Sequence, residues 1–231
     1  MDKNGNKDNT EIKKDMETQD KLKELGIPGF LGNNNNIQFI SIIGEIEGHN
    51  LSSANKKTTK YEHIIPILIN SQQDPKIEGV FIILNTVGGD VEAGLALSEM
   101  IQGISIPTVS LVLGGGHSIG IPLATSTDYS IIVPTATMTV HPIRTTGLVI
   151  GAAQTFRYFE KMQQRISQFI LRTSRIEEDE LNSLMYATDQ LANDIGTILV
   201  GEEAVKIGLI NEVGDFSYAL SKLQRMISNN K

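Results

Sequence analysis

The pattern of apolar and polar positions predicts alternating strands and helices. Four short runs rich in β-branched residues are bounded by Gly, Pro or Asp, which is typical of buried strands. They are residues 37–43, 79–84, 108–113 and 129–133. Between them, residues 61–71 and 91–103 have apolar side chains at helical spacing. This alternation predicts an α/β domain with right-handed crossovers and a mostly parallel, covered sheet.

The second half of the chain is more helical. Residues 152–173 are predicted to form a long amphipathic helix, because six apolar side chains fall on one face. They are Phe156, Phe159, Met162, Ile166, Phe169 and Ile170. Ser174 and Glu177 form a capping-box pattern, which predicts the start of another helix. The long helix is expected either to pack against another subunit or to cover its own domain.

Residues 1–36 differ from the rest of the chain. They are rich in Asn, Lys, Asp and Glu, and this composition cannot bury enough apolar surface to offset the entropy lost on ordering. We expect a mobile polar arm here, followed by one domain at 37–231. An apolar island at 25–31 within the arm is expected to serve as a docking segment or as a strap across the domain.

Composition excludes several classes of function. The net charge is −7, so nothing draws the chain to nucleic acid. Cysteine is absent and the four histidines lack the spacing of a metal motif, so neither a metal nor another cofactor is expected. The charged N-terminus has no signal-peptide core, and no segment approaches the roughly 20 apolar residues of a membrane span. We expect a cytoplasmic protein.

Two glycine-rich turns carry the candidate chemistry. Residues 114–120 follow one predicted strand and contain Ser118, and residues 85–90 follow the preceding strand. The carboxyl ends of neighbouring parallel strands lie side by side, so both turns are expected at one edge of the sheet. There, the N–H groups of Gly88 and Ile119 are placed to stabilise an oxyanion. Taken alone, Ser118 is more typical of a helix N-cap in a glycine-rich turn than of a nucleophile.

A serine nucleophile requires a base and an acid that orients the base. His141 is the one histidine that follows Ser118 in the sequence. Asp194 lies among apolar residues, where a carboxylate tends to have a specific partner, and Asp189 is the alternative acid. His117 adjoins the serine but is expected to point away from it, as a wall of the site.

Four ordered motifs resemble those of the ClpP peptidase family. They are the segments Asn-Thr-Val-Gly-Gly at 85–89, Gly-His-Ser-Ile-Gly at 116–120, Met-Thr-Val-His-Pro at 138–142 and Glu-Ala-Val-Lys-Ile-Gly-Leu-Ile at 203–210. The chain departs from the family pattern at Thr86-Val87, where Ser-Pro is common, and at His117, where a small residue is usual. Residues 60–66, 111–120 and 145–151 are most similar to a branch associated with protein translocation.

The resemblance implies a ClpP/crotonase-like βαβ superhelix with a protruding handle helix at about 152–173. It implies Ser118 as nucleophile, His141 as base, Asp194 as acid and the N–H groups of Gly88 and Ile119 as oxyanion hole. It further implies a homo-oligomer, a heptameric ring that stacks as two rings. An AAA+ unfoldase would supply unfolded proteins or peptides to this serine endopeptidase.

Three other functions remain open from the sequence. An acyl-CoA enzyme of the crotonase type would share the fold and the paired oxyanion donors. A relative of the signal-peptide peptidases would use a lysine base, for which Lys161 is the candidate. A ring-forming scaffold would keep the fold while its chemistry is idle or depends on a partner.

Overall fold

The computed structural model of the chain describes residues 36–53, 55–144, 151–189 and 195–230. The strands are β1 (Ile37–Glu47), β2 (Thr58–Lys60), β3 (Gly79–Gly89), β4 (Thr108–Gly116), β5 (Tyr129–Ile132), β6 (Thr137–Val140), β7 (Thr197–Val200) and β8 (Glu212–Val213). The helices are α1 (Tyr61–Gln73), α2 (Val91–Gln102), α3 (Gly120–Thr125), α4 (Ala152–Thr173), α5 (Glu178–Met185), α6 (Glu202–Lys206) and α7 (Phe216–Asn229). All but Asn36 of the predicted polar arm lies outside the described residues.

The central sheet is parallel, as the alternation predicted. Its strands follow the order β2-β1-β3-β4-β5-β8, and each neighbouring pair is parallel. Strand β6 joins β4 through the single pair Gly115 and Thr137, and it pairs antiparallel with β7 along its whole length. The antiparallel pair β6–β7 therefore joins the ladder of the main sheet at one position, beside the turn that contains Ser118.

Both faces of the sheet are covered, which explains why β3 and β4 are continuous apolar runs. Helices α1 to α5 enclose the larger core on one face. On the other face, α7 packs Leu223 and Ile227 in one cluster with Phe81, Leu111 and Ile131 of the sheet. Helix α7 was not predicted from the sequence. It gives the amino-terminal ends of the strands a core of their own.

Helix α4 has the bounds predicted for the handle helix and divides into two halves. Met162, Phe169 and Ile170 are buried, so the carboxyl-terminal half belongs to the core. In the amino-terminal half, Phe156 is 64% exposed and Tyr158 is 55% exposed. The apolar face therefore covers its own domain along only part of its length.

The predicted helix after α4 is present, but the predicted capping box is wrong. Helix α5 begins at Glu178, and its N-cap residue Glu177 makes no side-chain cap. The Ser174 hydroxyl instead donates to the Ile170 carbonyl oxygen at 2.7 Å, one turn back in α4. Ser174 therefore provides a hydrogen-bond donor to a carbonyl at the end of α4 and does not cap the start of α5.

Two ion pairs tie the buried half of α4 to α2. Arg165 donates to both carboxylate oxygens of Glu92, at 2.6 and 3.0 Å, and Arg172 pairs with Glu99 at 2.5 Å. The hydrogen bond from Arg165 lowers the pKa of Glu92. The arginines and the glutamates are each seven residues apart, so the two pairs repeat along neighbouring helix faces. They add polar contacts to the apolar packing at the base of the handle.

Candidate active site

Ser118 lies in a strained turn between β4 and α3. Its φ is +55°, and among the described residues it is the one residue other than glycine with a positive φ. The turn is closed by the Gly120 N–H, which donates to the His117 carbonyl at 2.9 Å, and by the Ile121 N–H, which donates to the Ser118 carbonyl at 2.9 Å. The left-handed conformation costs an L-residue about 1–2 kcal/mol. Such strain is concentrated at functional sites.

The structure brings the two glycine-rich turns together, as predicted. Thr86 of β3 pairs with Gly116 of β4, and the Thr86 carbonyl accepts a hydrogen bond from the His117 N–H at 3.2 Å. Between the regular ladder and this pair the register shifts, and the Asn85 side chain fills the break by accepting from the Gly115 N–H at 2.9 Å. The two turns are therefore joined to each other by hydrogen bonds next to Ser118.

The two predicted oxyanion donors differ in their present contacts. The Gly88 N–H donates to Thr86 Oγ1 at 3.1 Å, and that hydroxyl donates to the Gly44 carbonyl at 2.7 Å. No residue of the described ranges accepts a hydrogen bond from the Ile119 N–H. An oxyanion bound at this place would meet one donor directly, whereas the other would first have to leave the Thr86 hydroxyl.

His141 follows the end of β6 and shares a cleft with Ser118. Its Nδ1 lies 2.7 Å from the Pro142 carbonyl oxygen. A carbonyl can only accept, so Nδ1 carries the proton in this contact and Nε2 of the neutral ring is the basic nitrogen. In the described part of the chain, the Ser118 hydroxyl makes no hydrogen bond, to His141 or to any other group. Catalytic hydrogen bonds are often long before substrate binds.

The cleft beside Ser118 and His141 has a volume of about 240 Å³, and most of the side chains that line it are apolar. The remaining side chains that line it come from four helices, two strands, the turn before α3 and the turn after β6. They are Val87, Val91, Ile119, Ile121, Val140, Ile143, Arg144, Ile166, Ile170 and Met185. A cleft of this kind can bind an apolar group next to a reactive hydroxyl.

The predicted acid Asp194 lies outside the described residues. The described residues near it in sequence do reach His141: a Cβ added to Gly196 would lie 2.8 Å from the His141 Cβ, and the Gly196 N–H donates to the Ala187 carbonyl at 2.8 Å. The alternative acid, Asp189, follows α5 and is absent from the residues that line the described cleft, as is Lys161, the alternative base.

His117 does not form a wall of the cleft, contrary to prediction. Its ring folds back over Gly115, with Nε2 only 2.7 Å from the position a Cβ of that glycine would take. Its Nδ1 lies 2.8 Å from the Thr139 hydroxyl. Burial, and then the charge of nearby His141, lower the pKa of His117.

Thr139 is a contact residue of the site that sequence reasoning missed. Its carbonyl accepts a hydrogen bond from the Ser118 N–H at 3.0 Å. It precedes His141 by two positions, and residues two apart on a strand share a face. That spacing is the signal that identifies Thr139.

Within the described ranges, no three His, Cys, Asp or Glu side chains are grouped so that they could hold a metal ion. No helix described in the structure is both long and apolar enough to cross a bilayer.

The chain is similar in sequence to proteins of known family. A translocation-enhancing protein, TepA, of Halalkalibacterium halodurans is 52% identical over 211 residues, which cover 90% of this chain and 82% of that protein. The ATP-dependent Clp protease proteolytic subunit 2 of Tropheryma whipplei is 28% identical over 152 residues, 64% of this chain and 79% of that protein. The family model described as Clp protease matches residues 40–216, which include both glycine turns, Ser118 and His141. The chain belongs to the Clp protease family.

Proposed function

We propose that this chain is a serine endopeptidase that hydrolyses peptide bonds of unfolded proteins or peptides, with Ser118 as nucleophile and His141 as base. The observation that carries the proposal is the pairing of Ser118, in a left-handed turn, with His141 in one cleft. The hydrogen bond of Nδ1 to Pro142 leaves Nε2 as the basic nitrogen. Membership of the Clp protease family supports the same chemistry.

The proposed reaction proceeds through an acyl-enzyme. Ser118 Oγ attacks the peptide carbonyl carbon while its proton passes to His141 Nε2. The negative charge on the carbonyl oxygen is met by the N–H of Ile119 and, once it leaves the Thr86 hydroxyl, by that of Gly88. His141 then gives the proton to the leaving amine, and water hydrolyses the ester in a second round of the same steps.

Asp194 is proposed to orient His141, with Asp189 as the alternative. A carboxylate would replace the Pro142 carbonyl as the acceptor of the Nδ1–H, and it would stabilise the imidazolium formed during attack. Replacing each aspartate by asparagine separates the two assignments. The variant that loses activity identifies the acid.

We further propose that the protein acts in the cytoplasm and forms heptameric rings, which stack in pairs through the handle helix α4. The exposure of Phe156 and Tyr158 in the amino-terminal half of α4 supports this assembly, because exposed large apolar side chains are available for contact with another subunit. The name of the relative TepA refers to translocation. We infer that substrates include proteins connected with that process, supplied by an AAA+ unfoldase.

A second candidate function is a ring-forming scaffold, or a peptidase that a partner must activate. Two observations favour it. The Ser118 hydroxyl makes no hydrogen bond within the described residues, and the Gly88 N–H is occupied by Thr86. In this form of the proposal, a partner would draw Ser118 and His141 together and free the second oxyanion donor.

A fluorophosphonate reagent tests the proposal directly. We expect the assembled wild-type chain to gain one adduct on Ser118, and the Ser118→Ala and His141→Ala variants to gain none. Lys161→Ala should label normally, since a lysine base is not part of the mechanism. An assembled ring that neither labels nor cleaves unfolded peptides would contradict the peptidase and favour the scaffold.

A further inference from the structure

His117 stands out because the proposed mechanism gives it no task. It is partly buried beside the nucleophile, and its ring is held at two places. Nδ1 meets the Thr139 hydroxyl at 2.8 Å, and the other edge of the ring rests on Gly115. A side chain on Gly115 would occupy the place of the ring, so this glycine permits the conformation.

Thr139 joins the nucleophile turn to the strand that carries the base. Its carbonyl accepts from the Ser118 N–H at 3.0 Å, and its hydroxyl bonds His117, the residue just before Ser118. His117 and Ser118, which are adjacent in the turn, thus both bond Thr139 of β6. His117 bonds its side chain and Ser118 bonds its backbone carbonyl. His141 is two positions further along the same chain segment.

These bonds matter because β6 packs Met138 and Val140 into the core but has few other hydrogen bonds to the main sheet. Its ladder with β4 consists of one pair, Gly115 and Thr137. Its other partner, β7, is joined to β6 alone. The distance between Ser118 and His141 therefore depends on this packing and on a few hydrogen bonds, which include the bonds of Ser118 and His117 to Thr139.

We propose that His117 is a positioning residue that fixes β6, and with it His141, at the distance from Ser118 that proton transfer requires. The inference rests on the proposed function. The neutral ring suits this task, because it can bond the Thr139 hydroxyl without placing a second positive charge beside His141 when that base is protonated. Displacement of a catalytic group by about 1 Å can reduce a rate about 100-fold.

Three variants of two residues test the proposal. Asparagine places an amide atom near the position of the histidine Nδ1, so His117→Asn should keep the bond to Thr139, whereas His117→Ala removes it. We expect His117→Ala and Thr139→Val each to slow fluorophosphonate labelling of Ser118 by about 10-fold to 100-fold. His117→Asn should stay within about twofold of wild type, because its hydrogen bond is retained. The double variant His117→Ala, Thr139→Val should be no slower than either single variant.

Hydrogen exchange supplies a readout that does not need activity. The Ser118 amide donates to Thr139, so its exchange should accelerate about tenfold in His117→Ala and be restored in His117→Asn. Equal labelling rates and equal Ser118 exchange in all variants would overturn the inference. If wild type fails to label while exchange of the Ser118 amide still accelerates in His117→Ala, the peptidase proposal fails. The positioning of the Ser118 turn by His117 is then still supported.

Discussion

The absence of a side chain on Gly88 leaves the space in which Ser118 lies. A Cβ added to Gly88 would be 2.8 Å from the Ser118 Cβ and 3.4 Å from its Oγ. Gly88 also has a φ of +91°, a conformation that L-residues rarely adopt. Two separate requirements, space and backbone conformation, thus select glycine at the position proposed to donate to the oxyanion.

We predict that Gly88→Ala abolishes labelling of Ser118. The added methyl group must displace either the nucleophile or the turn, and it strains the backbone, so a loss of at least about 100-fold is expected. Gly103→Ala is the matched control, because its φ is −80° and its added Cβ would meet other atoms only at 3.4 Å and beyond. Equal labelling of the two variants would place the oxyanion site elsewhere.

The sequence predicted those parts of the fold that local patterns specify. The predicted bounds of α4 are those observed, because the spacing of apolar side chains along one face marks a helix whatever that face packs against. The convergence of the turns at Gly88 and Ser118 is confirmed, since parallel strands leave no other place for their carboxyl ends. In contrast, the sequence predicted that Ser174 caps α5, but its hydroxyl bonds the end of α4. The reason is that tertiary packing decides which of the two helices the hydroxyl reaches.

The candidate site was less predictable than the fold, because its contacts join distant segments. The residue type of His117 gave no indication that its ring would fold over Gly115 and bond Thr139, 22 positions away. Nor did the motif around Gly88 indicate that Thr86 already binds its N–H. The roles of Ser118, His141 and Asp194 remain predictions, and the described structure does not include Asp194.

We predict that Thr86→Val destabilises the fold. The hydroxyl donates to the Gly44 carbonyl at 2.7 Å and accepts from Gly88, and Thr86 is only 1% exposed. Valine has nearly the same shape but leaves both groups without this partner, at a cost of about 1–3 kcal/mol. The free energy of unfolding in urea measures the loss. Thr86→Ser, which keeps the hydroxyl, should recover most of it, and equal stability of both variants would refute the account.

Acid is predicted to destabilise the fold partly through His117. Its pKa is lowered below the ordinary value of 6.5, so the unfolded chain binds this proton more readily than the folded chain. Stability is unaffected well above pH 6.5 and falls as the pH drops through that value towards the folded pKa. His117→Asn, which has no proton to bind, should lose less stability than wild type between about pH 7 and about pH 5. Identical slopes of urea stability against pH would contradict this.

The Glu92–Arg165 pair is predicted to stabilise the base of the handle modestly. Both side chains are nearly half exposed, so solvent screens the pair and Glu92→Gln should cost about 0.2–1 kcal/mol. Because the pKa of Glu92 is lowered, the contribution is present above its ordinary pKa of 4.5 and disappears as the pH falls through the folded value. Urea unfolding of wild type and variant should therefore converge in acid. Glu160→Gln on α4, the helix that carries Arg165, is the control; its carboxylate makes no ion pair within the described ranges, so it should show no such difference at neutral pH.

The exposed half of α4 is predicted to hold two rings together. Phe156 and Tyr158 are mostly exposed in the single chain, and each large aromatic side chain can bury about 150–250 Å² in an interface. The contact recurs around a symmetric ring, so a modest loss in each subunit is multiplied. Phe156→Ser combined with Tyr158→Ser should halve the particle mass in analytical ultracentrifugation, and leave each ring intact. Leu51→Ser, which removes an 83% exposed apolar side chain from the loop after β1, should leave the mass unchanged. A double variant with the mass of wild type would show that α4 does not join the rings.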